Sequence, residues 1–159
     1  MTGLELIELF PATPSLRIIL NETSSSEPIL VLLPGDGSGA YDMTAELDEL
    51  AKDTLGENSL IEIAMGTDET EKATELVMQA ARSGQWVCLK NVHLVSSWLP
   101  SLDRMMNELQ REENGGFHAN FRLWMTAEPV SSLPVSLLQR CKKIVSEVHS
   151  QRFTVSIIK

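Results

Sequence analysis

The chain has 159 residues, of which 43% are hydrophobic and 22% charged, with a formal net charge of -9. This is ordinary globular usage, enough for one domain with its own core, and it excludes a disordered chain. The 13 basic residues are scattered among 22 acids, which argues against a nucleic-acid surface, and no apolar run is long enough to cross a bilayer.

In chain order, Leu4 to Phe10 is compatible with a short helix and Leu16–Leu20 with an edge strand, followed by a polar, mobile stretch from Asn21 to Glu27. Ile29-Leu30-Val31-Leu32-Leu33 is apolar on both faces, as a central parallel strand must be. The Gly-rich stretch opening at Pro34 cannot continue it. Met43 to Leu55 predicts a helix with Asp42 as N-cap and Leu47, Leu50 and Ala51 on one face.

Leu60 to Met65 predicts the second strand, and Glu69 to Ser83 the next helix. Asp68 with Glu71 is its capping signal, Gly84 its left-handed terminator, and Ala73, Leu76, Val77, Ala80 and Ala81 its buried stripe. Trp86-Val87-Cys88-Leu89 is the third strand. A helix over Ser97 to Arg111 buries Trp98, Leu102, Met105, Met106 and Leu109, with Pro100 tolerated in its first turn. Phe121 to Thr126 is the fourth strand, Leu133–Arg140 a short helix, and Lys142–Ser146 a fifth strand. Strands alternating with helices give an α/β fold: a three-layer αβα sandwich over a five-stranded, mainly parallel sheet. Residues 28–148 form this unit, 1–27 an N-terminal extension packing on it or partly mobile, and 149–159 a segment leading out of it.

Cys88 and Cys141 form no C-x-x-C pair, and Cys88 reads as a buried free thiol. His93, His118 and His149 lack metal-ligand spacing, so no metal site is expected.

Open α/β sheets bind ligands beyond the carboxyl ends of their strands. A phosphate loop after the first strand would read G-x-x-x-x-G-K-[ST], with a Lys for phosphate charge and a hydroxyl for Mg²⁺. The residues there are Pro34, Gly35, Asp36, Gly37, Ser38, Gly39, Ala40 and Tyr41. Aligned on Gly39, the Lys position is Ala40 and the hydroxyl position Tyr41. Aligned on Gly35, they are Tyr41 and Asp42. Asp36 and Asp42 add negative charge where phosphates would lie, so the stretch reads as a turn. An acid should end a buried strand to hold Mg²⁺, but the third strand ends in Lys90 and Asn91. Thr126, ending the fourth, can occupy a sensor position. No catalytic residue, cofactor or metal is expected. Ser38 lies between two glycines, but the G-x-S-x-G nucleophile turn is absent.

Several stretches resemble the dynein heavy chain family. Gly84-Gln85-Trp86-Val87-Cys88-Leu89-Lys90-Asn91-Val92-His93-Leu94, continuing to Ser97-Trp98-Leu99-Pro100, is similar to its G-x-W-[VL]-x-L-[QK]-N-x-H-L…S-W-[ML]-P block. Leu33-Pro34-Gly35-Asp36, Phe121-Arg122-Leu123-Trp124-Met125-Thr126, and Leu133-Pro134 with Leu137-Leu138-Gln139 resemble its SPG-[AV]-D, FRLWLT and [FL]-P…[IL]-LQ segments. The likeness spans roughly residues 28–147. Ala64-Met65-Gly66, Cys88-Leu89-Lys90-Asn91 and Thr126-Ala127-Glu128 resemble the cytoplasmic dynein 2, or intraflagellar-transport, branch. The chain departs from the family at Gly66-Thr67-Asp68, where Gly-Gln-Gly is usual, and in its Gly-rich Gly37-Ser38-Gly39.

The resemblance implies the large subdomain of a sixth AAA+ module (the P-loop NTPase-like fold with a degenerate loop) within an ATP-driven, minus-end-directed microtubule motor. It also implies as partners the neighbouring AAA+ modules, with intermediate and light chains and microtubules through the parent motor. The setting would be cytoplasm, cytoskeleton and cilium or flagellum. The chain's end before a helical small subdomain suggests an excised fragment. The competing readings are a nucleotide-binding or NTPase domain with an atypical loop, and a free-standing α/β interaction domain. Trp98, Leu99 and Phe153 are candidates for exposed apolar contacts with neighbours.

Overall fold

A computed structural model describes residues 16–33, 43–113, 116–149 and 152–158, with backbone alone from 146 onward. The helix expected at Leu4–Phe10, the cap at Asp42 and the side chain of Phe153 lie outside what is described.

Five strands run parallel: β1 (Ile29–Leu32), β2 (Leu60–Ala64), β3 (Trp86–Lys90), β4 (Arg122–Ala127) and β5 (Lys142–His149). A sixth strand, β6 (Arg152–Ile158), pairs antiparallel with β5, so the sheet order is β2-β3-β4-β1-β5-β6. The five parallel strands are those expected; the sixth comes from the segment read as leading out of the domain. β1 is central, with Ile29 opposite Trp124 of β4 on one side and Lys142 of β5 on the other.

Each strand contributes alternate residues to two cores, as a pleat with both faces covered requires. On one face Ile29, Val31, Trp86, Cys88, Trp124 and Ile144 pack against α1 (Leu16–Glu22) and α2 (Met43–Leu55). On the other, Leu30, Val87, Leu89, Leu123 and Met125 pack under α3 (Thr70–Ser83), α4 (Leu99–Arg111) and α5 (Val135–Arg140). Each such Leu, Ile or Val, buried almost completely, contributes about 1.5–3 kcal/mol. Trp86 and Trp124 meet at 5.6 Å between ring centroids within the first core.

Three local expectations are corrected. Leu16–Leu20 is not an edge strand but most of α1, where Leu16 and Ile19, one helical turn apart, point into the core. In the stretch after it, Asn21 and Glu22 complete α1, and Thr23 and Glu27 donate backbone hydrogen bonds to Leu20 and Ser24 at 3.3 and 3.1 Å. Asp68 does not cap α3, because a 3-10 turn over Thr67–Glu69 precedes the helix and Glu69 occupies the cap with no side-chain bond. Leu99 is fully buried and Trp98 half-buried, its indole N–H donating to the Thr74 hydroxyl at 3.2 Å, so neither is a free apolar contact. Gly84 does end α3 as expected: at φ 90° its N–H reaches the Ala80 carbonyl over 2.8 Å.

Candidate functional site

The chain leaves β1 by α2 on one face to reach β2 at the sheet edge. It returns through β3 and β4 to β5 with α3, α4 and α5 on the other face. The connection changes face and direction at β1, so the carboxyl ends of β1, β3 and β4 flank the crevice where such sheets take ligands.

Of the residues singled out there, Pro34, Gly35, Asp36, Gly37, Ser38, Gly39, Ala40 and Tyr41 lie outside the described residues. Leu33, just before them, donates its N–H to the Ala127 carbonyl at 2.8 Å, which carries the β1–β4 pairing to the mouth of the crevice.

Lys90, Asn91 and Thr126 are described, and the fold separates the first from the other two. Lys90 turns to the β2 edge, where its ammonium pairs with Glu62 at 3.1 Å. Asn91 follows in the left-handed region, φ 60° and ψ 48°, a conformation Asn tolerates better than most residues. This bend takes the chain out of the sheet into a 3-10 turn over Val92–Val95. Thr126 is buried in β4, and its Oγ1 accepts the Asn91 N–H at 3.0 Å. The structure thus joins the acidic-motif and sensor-like positions across two neighbouring strands. The β3 position offers an amide where a metal-holding site would have a carboxylate.

Spacing gave no hint of the next contacts along this edge. His93 Nδ1 accepts the backbone N–H of Glu128 at 3.1 Å. Its Nε2 lies 3.9 Å from the Glu128 carboxylate. Ser96 donates its hydroxyl to the His93 carbonyl at 2.8 Å and meets the Ser132 hydroxyl at 3.0 Å. His93 and Glu128 are 35 positions apart in sequence and Ser96 and Ser132 are 36, so only the packing of β3 beside β4 brings them together. Among the described residues no group of three or more His, Cys, Asp or Glu is placed to hold a metal ion.

Large exposed hydrophobics among the described residues are few. Leu94 (63% exposed) and Val130 (37%) sit in the segments following β3 and β4, and Val135 (68%) opens α5; the fourth, Ile18, lies on α1. Residues 24–145 match the model of the dynein heavy chain region D6 P-loop domain. The chain is 41% identical over 145 residues to cytoplasmic dynein 2 heavy chain 1 of Tripneustes gratilla and 38% identical over 144 residues to that of Homo sapiens, 91% of the chain in each case. It is also 31% identical over 147 residues, 92% of the chain, to dynein axonemal heavy chain 1 of Homo sapiens. The aligned part is about 3% of the length of each of these relatives. With residues 24–145 inside that family model, the chain belongs to the dynein heavy chain family and corresponds to its D6 P-loop region.

Proposed function

We propose that this D6 region is a non-catalytic, structural AAA+ module: it has the fold of a nucleotide-binding domain but neither grips nor hydrolyses a triphosphate. The observation that carries this is the pairing of Asn91 with Thr126. Where Mg²⁺ and the attacking water would need a strand-end carboxylate, there is an amide whose own backbone N–H is taken by the sensor-like hydroxyl. The sequence of the first loop supports the same reading, since Ala40 or Tyr41 stands in the Lys position. A like-charge contact with Asp36 or Asp42 at 4 Å would add about 1 kcal/mol in water and several at lower dielectric.

In this proposal the module works by packing against neighbouring AAA+ modules of one heavy chain and passing rigid-body movement between them. The parent motor is the ATPase: a minus-end-directed microtubule motor with intermediate and light chains, acting in the cytoplasm and cytoskeleton and, given the likeness to cytoplasmic dynein 2 heavy chains, in intraflagellar transport within cilia. Leu94, Val130 and Val135 replace Trp98 and Leu99 as candidate apolar contacts with neighbours.

Isothermal titration of the chain with ATP and with ADP, each with and without Mg²⁺, tests the reading. No saturable heat is expected up to millimolar nucleotide. Micromolar binding strengthened by Mg²⁺ would establish the competing nucleotide-binding function. Asn91→Asp alone should stay inactive in a turnover assay, because the Lys and hydroxyl of the phosphate loop remain missing.

A further inference from the structure

The β3–β4 ladder ends with Leu89 opposite Met125, yet the two segments do not part company there. Asn91 is tied to Thr126, His93 to Glu128, and Ser96 to Ser132, at 3.0, 3.1 and 3.0 Å. The three links fall at successive points along both segments and nearly keep the strand register. Each involves a side chain, two of them accepting a backbone N–H beyond the last ladder pair. The Ser96 hydroxyl gives its only proton to the His93 carbonyl, so Ser132 is the donor in the third link. That places His93 and Ser96 in one chain of bonds running from Glu128 to Ser132.

We propose that these links form a side-chain latch that extends the sheet past its last backbone pair and makes the segments after β3 and β4 a single rigid body. The two segments are fastened, so displacement of either carries the other. His93 and Thr126 are its positioning residues, acting through the main chain of Glu128 and Asn91. The latch depends on these bonds and not on whether nucleotide binds, so failure of the titration above would leave it standing.

Residue-resolved amide hydrogen exchange of the chain tests this, comparing wild type with Thr126→Val, which keeps shape but removes the acceptor, and with Thr126→Ser, which retains it. In wild type the Asn91 and Glu128 amides should both be protected. In Thr126→Val both should exchange about fivefold faster or more, as expected for loss of one hydrogen bond felt by a shared unit, while Leu89 inside β3 is unchanged. Thr126→Ser should restore both. Should Thr126→Val not fold, Ser96→Ala at the exposed end supplies the same reading at Glu128 and Asn91. A Glu128 amide indifferent to both substitutions, or wild-type amides exchanging at unprotected rates, would overturn the latch.

Discussion

Arg140 at the end of α5 donates from Nε to Asp103 Oδ1 over 2.8 Å, and its two terminal nitrogens reach Asn107 and Gln110 on the same helix. The acceptors are spaced four and three residues apart along α4, so they form one row that a planar guanidinium can span. This fastens α5 to α4 directly before β5 enters the sheet. Arg140→Met should lower stability by about 2–3 kcal/mol in urea unfolding, because the Asp103 side chain, only 13% exposed, would be left without its cation. Arg140→Lys should recover less than half, since an ammonium cannot form the fork. Equal stability of all three proteins would remove the clamp from the account.

The two core tryptophans should respond differently to replacement. Trp86 Nε1 donates to the Asn120 carbonyl at 2.8 Å, whereas the buried Trp124 Nε1 finds no acceptor. Both Trp→Phe changes leave similar space and weaken the same ring pair. Only Trp124→Phe also removes an unpaired buried N–H, a group that costs about 1–3 kcal/mol. Trp124→Phe should therefore be the milder by about 1–2 kcal/mol in denaturant melts, and the reverse ranking would contradict the assignment.

Gly84 is constrained twice. Its φ of 90° suits glycine, and a Cβ there would come 2.6 Å from His118 Nδ1. His118 is itself fixed, donating its N–H to the Ala81 carbonyl at 2.6 Å while its ring accepts from Asn120 N–H. Gly84→Ala should cost about 1–3 kcal/mol. Adding His118→Ala should relieve the collision but not the backbone strain, so the double variant should be more stable than the sum of the singles. Strict additivity would show that only the backbone matters.

Cys141 should be chemically silent in the folded chain. Burial pushes its thiol from an ordinary 9.0 up to about 12, with the nearby Lys143 and Arg140 opposing that only in part. Between these values the unfolded chain has lost the proton while the folded chain keeps it. This contribution to stability is thus full below pH 9 and declines as pH rises toward 12. At pH 8.5 iodoacetamide should label Cys141 only after denaturant is added. Rapid labelling of the native protein would refute the buried placement.

Much of the parallel sheet was legible because its strands are buried on both faces. Ile29–Leu32 and Trp86–Leu89 are unbroken apolar runs, the pattern of strands covered on both faces in a parallel sheet. The periodic stripe and terminal glycine of α3 were equally plain. Leu16–Leu20 misled because five residues, four of them apolar around Arg17, are too few to show a period; packing of Leu16 and Ile19 beside Met43, Leu47 and Leu50 made it helical. The hydroxyl of Thr126 and the imidazole of His93 gave no local sign of their partners, which lie 35 residues away in each case.

The order of residues by itself settled the layered architecture, the family and the identities of the groups at the strand ends, because hydrophobic pattern and side-chain chemistry are local properties. Which of those groups meet was decided only by tertiary structure. Lys90 faces Glu62, Asn91 bends to Thr126 and His93 holds Glu128 because β3 lies between β2 and β4. Adjacency in a parallel sheet joins residues whole crossovers apart, and the chain can read that distance only once it has folded.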